Sequence, residues 1–88
     1  MSQVFLVIVT ANAEAVRQKL EQAFPGNEHF VIDEDKFTVA FDGVSRDVAE
    51  KLGIRGDEPV GSGVVFPITS YSGRADPALW EWLGMKIS

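Results

Sequence analysis

The sequence predicts an α+β domain, and three patterns carry that expectation. Val4-Phe5-Leu6-Val7-Ile8-Val9 is an unbroken apolar run rich in β-branched side chains, which suits a strand buried on both faces. Val16, Leu20 and Ala23 or Phe24 recur at helical spacing, with Glu14, Arg17, Gln18, Glu21 and Gln22 between them, so the next segment reads as an amphipathic helix. Phe37, Val39 and Phe41 alternate with Lys36, Thr38 and Ala40, the period-two pattern of a strand with one greasy face.

The remaining elements follow from their punctuation. Asn12 is placed to cap the first helix, with Glu14 in its positive first turn, and Pro25-Gly26 stops it. His29–Asp33 pairs with Lys36–Phe41 as a hairpin through an acidic turn around Glu34. Ser45 reads as the N-cap of a second helix in which Val44, Val48 and Leu52 face inward. Gly53 ends that helix in the left-handed conformation, with Ile54 supplying the apolar contact of a Schellman cap. Arg55–Pro59 is a loop. Val64–Thr69 is a fourth strand with Val64, Phe66 and Ile68 on one face, and Pro67 confines it to a sheet edge. Ser70-Tyr71-Ser72-Gly73 turns the chain. Asp76-Pro77 opens a third short helix as N-cap and first residue, and Gly84 is expected to close it.

The order βαββαβ followed by a short C-terminal helix matches the ferredoxin-like sandwich, as a single domain over residues 1–88. In that arrangement the first and third strands are central and the fourth lies at an edge. The two main helices cover one face of the sheet. The first strand is apolar at both parities, so its other face also needs cover, from the third helix or from another subunit.

Composition excludes several classes of function. Thirteen acidic and eight basic residues give a net charge of −5, and the bases are scattered, so no nucleic-acid partner is expected. There is no cysteine, which removes disulfides and thiolate metal sites and favours a cytoplasmic location. The first apolar run is too short to span a bilayer and has no positive charge before it, so neither a membrane anchor nor a signal peptide is expected.

No motif carries catalysis. Gly56-Asp57-Glu58-Pro59-Val60-Gly61-Ser62 has phosphate-loop glycine spacing but lacks the lysine, holds two acids and leads into a strand. Gly61-Ser62-Gly63 precedes its strand and lacks the third glycine of a dinucleotide fingerprint. Asp33-Glu34-Asp35, with Asp42, has no calcium-loop glycine and reads as a solvated turn. His29 has no nucleophile to activate. Lys36–Phe41 faintly resembles an RNA-binding strand motif without its glycines, and Phe37 and Phe41 point to the helix side. The nearest enzyme resemblance, a ferredoxin-like dimeric nuclease of the CRISPR-adaptation type, implies an aspartate at the end of the first strand, where this chain has Val9-Thr10-Ala11-Asn12. No catalytic residue, metal site or cofactor is therefore expected.

The tail Gly63-Val64-Val65 … Tyr71-Ser72-Gly73-Arg74-Ala75 … Leu79-Trp80-Glu81-Trp82-Leu83 resembles that of short uncharacterised bacterial proteins of similar length. The resemblance implies a ferredoxin-like fold and no activity. Within Ser70–Glu81, Tyr71, Arg74 and Trp80 are residue types that dominate binding hot spots. Together with Glu81 they form the candidate contact surface. Trp82 shares a helical face with Leu79 and Leu83, and the sequence leaves open whether the two tryptophans cap the core or face a partner. The expectation is a non-enzymatic binding module, acting as a homodimer or on another protein. Its alternatives are a metal-dependent nucleic-acid-processing enzyme of the ferredoxin-like dimer type and a small-ligand sensor.

Overall fold

A computed structural model describes residues 3–87. Its elements are β1 (Gln3–Ala11), α1 (Ala13–Ala23), a 3₁₀ turn (Gly26–Glu28), β2 (His29–Asp33), β3 (Lys36–Phe41), α2 (Ser45–Lys51), β4 (Ser62–Ile68) and α3 (Pro77–Lys86). The strands form one sheet in the order β2-β3-β1-β4, with every neighbouring pair antiparallel. The architecture is thus α+β, with β1 and β3 central and β4 at an edge, where Pro67 is tolerated.

Side-chain parity divides the sheet. Phe5, Val7 and Val9 of β1 and Phe37 and Val39 of β3 point to the helix side. There they pack with Val16, Leu20 and Phe24 from the α1 region and Val48 and Leu52 from the α2 region. All ten are essentially excluded from water, and this is the larger core. Phe24 and Phe41 meet edge to face at 5.8 Å, a favoured aromatic geometry. On the opposite face, Val4 and Ala40 pack with Leu79, Trp82 and Leu83 of α3 in a second, smaller core.

Helix ends show both agreement and correction. The end of α2 is the expected Schellman motif: Gly53 has φ 74°. Its N–H donates to the Glu50 carbonyl at 3.2 Å, and the Ile54 N–H donates to the Ala49 carbonyl at 3.1 Å. Asp76 caps α3 as expected, its Oδ1 accepting from the Ala78 N–H at 2.9 Å. Asn12 occupies the N-cap position of α1 but makes no capping bond. It lies in the left-handed region at φ 58°, which asparagine tolerates, and its amide donates to the Val60 carbonyl at 3.2 Å. Ser45 is the first residue of α2 rather than its cap. Val44 takes that place with extended backbone, so helical spacing does not apply to it and its side chain is exposed. Gly84 does not close α3. The helix continues to Lys86, and the Ile87 N–H donates to the Leu83 carbonyl at 2.8 Å, because Ile87 packs against the second core.

The glycines leading into β4 have a packing reason. A Cβ on Gly61 would lie 2.6 Å from the Ala11 carbonyl oxygen, and one on Gly63 2.6 Å from that of Ile8. Both contacts are with main chain, which cannot rotate away. Gly61-Ser62-Gly63 is therefore built for the close approach of β4 to β1.

Candidate functional site

The candidate surface grows from the β4–α3 connection. After Ile68 the chain leaves the sheet edge and turns at Gly73, which has φ 141°. It enters α3 through the Asp76 cap and Pro77 at N1. The ten residues of α3 span roughly 15 Å at 1.5 Å per residue. Leu79, Trp82 and Leu83 recur at helical spacing and turn into the sheet. The Trp82 indole N–H donates to the Asn27 carbonyl at 2.7 Å. Trp82 is thus a core residue with a satisfied polar tip.

Trp80 lies on the flank of this stripe, half-buried. Tyr71 stacks on it with ring centroids 5.5 Å apart and planes inclined by 15°. Tyr71 remains 42% exposed. Arg74 and Glu81 are exposed, and neither takes part in an ion pair among the described residues. Of the four residues singled out in the sequence, the structure brings Tyr71 and Trp80 into contact. It places Arg74 on the connection and Glu81 on the solvent side of α3.

A second surface adjoins the first. In cross-strand register, Val4 lies beside Ala40 and Ile68, Leu6 beside Thr38 and Phe66, and Ile8 beside Lys36 and Val64. The helix α3 packs on the first of these rows and, through Trp82, on Phe30, which pairs with Thr38 at the β2 end of the second. Along the other two, Val64 is 48% and Phe66 45% exposed, and Ile32 of β2 is 39% exposed. The alternation of β4 places Val64 and Phe66 on one face. What the sequence lacks is a sign that α3 stops short of them. Within the second row, the Thr38 hydroxyl is buried without a hydrogen-bond partner among the described residues.

Charge chemistry is sparse around these surfaces. Lys36 donates to Asp35 Oδ1 at 2.9 Å. This hydrogen bond holds the Asp35 carboxyl below its usual range and the Lys36 ammonium above its own. His29 uses its Nδ1 against the Phe24 carbonyl. A carbonyl only accepts, so that nitrogen carries the proton and the ring ties β2 to the end of α1. Among the described residues, no group of three or more His, Asp or Glu side chains is arranged to hold a metal ion. A cleft of about 540 Å³ over α1 is lined by Ala13, Glu14, Arg17, Gln18, Glu21 and Glu34. It has no nucleophile or histidine. No described helix is long and apolar enough to cross a membrane.

Comparison with protein families, curated proteins and solved structures finds no match.

Proposed function

We propose that this chain is a ferredoxin-like interaction module that works without catalysing a reaction, as a cytoplasmic homodimer. The ferredoxin-like reading rests on the strand order, which from the β4 edge runs 4-1-3-2 with all pairs antiparallel and helices between the first and second and the third and fourth strands. The interaction reading rests on one observation. The helix α3 covers the Val4–Ala40–Ile68 end of the open sheet face and reaches Phe30 through Trp82, leaving Val64, Phe66 and Ile32 partly exposed. Apolar side chains grouped on a flat sheet are stabilised by a partner, and a second copy supplies one through a self-complementary two-fold contact. Tyr71, Arg74, Trp80 and Glu81 lie off this sheet face and offer a separate contact for another protein. The stacked Tyr71–Trp80 pair is its rigid anchor. A net charge of −5 weighs against nucleic acid as that partner.

Sedimentation velocity across the micromolar range tests the reading. A reversible monomer–dimer equilibrium supports it, and a strict monomer throughout that range overturns it.

A further inference from the structure

The free edge of β4 differs in charge from the rest of the molecule. No Asp, Glu, Lys, Arg or His occurs between Glu58 and Arg74, in a chain that is 24% charged. On the helix side, a groove of about 310 Å³ runs alongside β4, and among the described residues the charged side chains lining it are Arg46 and Arg55. Neither takes part in an ion pair among the described residues. The opposite edge is different. β2 is flanked by Glu28, Asp33, Glu34 and Asp35, and its register shifts between Val31 and Asp33. Charges and bulges are the devices by which natural sheets prevent edge-to-edge pairing. β2 has both, whereas β4 carries no charge; the shift in its ladder falls between Val9 and Ala11 of β1, opposite Gly63 and Ser62, and Pro67 interrupts a new ladder at the far end.

We infer that β4 pairs antiparallel with β4 of a second copy, over Ser62–Phe66, so that two four-stranded sheets join across a two-fold axis. This rests on the homodimer reading and moves its contact to the β4 side of the patch, where Val64 and Phe66 lie, leaving Ile32 of β2 uncovered. Two physical arguments favour the edge over face-on stacking of the open sheets. First, two molecules each of net charge −5 repel, and they approach at least cost through a strand that carries no charge of its own. Second, Val64, Phe66 and Ile32 each show less than half of their surface. Together they expose no more than the roughly 300–600 Å² patch common on monomers, well below the roughly 800 Å² per partner of a stable interface. Edge pairing adds main-chain hydrogen bonds that stacking does not, and a two-fold through Ser62–Phe66 sets Val64 opposite Val64 of the second copy, with Phe66 opposite its Ser62 and diagonal to its Val64.

Amide hydrogen exchange on the unaltered chain, at concentrations below and above the dimer midpoint, decides the geometry. The expected result is slowed exchange in Ser62–Phe66 at high concentration, with no change in β2. Val64→Lys should weaken dimerisation roughly tenfold or more by placing a guard charge on the edge. Ile8→Glu, on the open face of central β1, should leave it within about twofold, well under the factor that 1.4 kcal/mol represents. Circular dichroism and melting show that each variant is folded. A dimer lost with Ile8→Glu while β4 amides stay unprotected overturns the edge geometry but preserves the homodimer. A monomer at all concentrations overturns both, as does a monomer whose β4 amides are protected only by an extended segment of a different protein.

Discussion

The indole N–H of Trp82 donates to the main-chain carbonyl of Asn27 at 2.7 Å, joining α3 to the 3₁₀ turn before β2, far away in sequence. Trp82 thus contributes apolar area to the second core and a main-chain anchor at its rim. Trp82→Phe keeps most of the ring and removes the donor, which should cost about 0.5–1.5 kcal/mol, the net worth of one hydrogen bond, because Asn27 is exposed and water can reach its carbonyl. Trp82→Ala should cost about 3–5 kcal/mol. Trp80→Ala should cost clearly less than Trp82→Ala, since Trp80 is only half-buried against Tyr71. Urea unfolding of the three variants checks the ranking.

Gly63→Ala should destabilise by about 1–3 kcal/mol, the usual cost of overpacking. Its Cβ would meet the Ile8 carbonyl oxygen at 2.6 Å and the Val9 Cα at 3.1 Å, both in the central strand. Gly56→Ala, where no atom lies within 4 Å but φ is 123°, isolates the effect of backbone conformation alone. Comparing their denaturation midpoints separates steric crowding from strain.

Gly84→Ala should stabilise. Gly84 sits inside α3, and nothing lies within 4 Å of its added Cβ. The gain should be about 0.5–1 kcal/mol from the lower conformational entropy of the unfolded chain. A higher thermal midpoint with unchanged circular dichroism would meet this expectation, and a lower one would contradict it.

Thr38→Val should also stabilise, by about 1 kcal/mol or more, because the Thr38 hydroxyl is buried without a partner among the described residues and valine keeps the β-branched shape. The cleanest measurement is the change in unfolding free energy at unchanged denaturant slope.

The Asp35–Lys36 pair sets a simple pH expectation. The Asp35 carboxyl titrates below its usual range, so its contribution is present above the unfolded value and is lost as pH falls through the folded one. The Lys36 ammonium titrates above its usual range, so its contribution is complete below the unfolded value and is lost as pH rises through the folded one. Between those limits the pair is constant across neutral pH. Because both side chains are well exposed, the effect should be small and screened by salt. Asp35→Asn should leave the melting temperature nearly unchanged at neutral pH and flatten its fall on the acid side.

Local chemistry was legible in the sequence, and long-range geometry was not. The Gly53–Ile54 cap and the Asp76-Pro77 start are written within a few residues, and both form as read. Asn12 departs from its expected capping role because its amide finds Val60, a partner supplied by a distant loop. Gly84 fails as a stop because Ile87 finds packing beyond it. At the candidate surface, helical spacing separates Trp82 from Trp80. The stack of Tyr71 on Trp80 depends on a loop path that no periodicity encodes. The parity of Val64 and Phe66 is readable, but the reach of α3 across the sheet depends on its tertiary placement.

The central position of β1 bears on how the chain matures on the ribosome. β1 emerges before both of its hydrogen-bonding neighbours, β3 and β4, the latter at residues 62–68. Until that last strand is outside the exit tunnel, one side of the most apolar segment has no ladder. Long-range pairing of this kind is slow and leaves an exposed edge while it waits. The nascent chain therefore passes through an interval in which Val4–Val9 is the natural target of a chaperone. Swapping β4 to follow β1 directly, in a permuted chain, should shorten that interval.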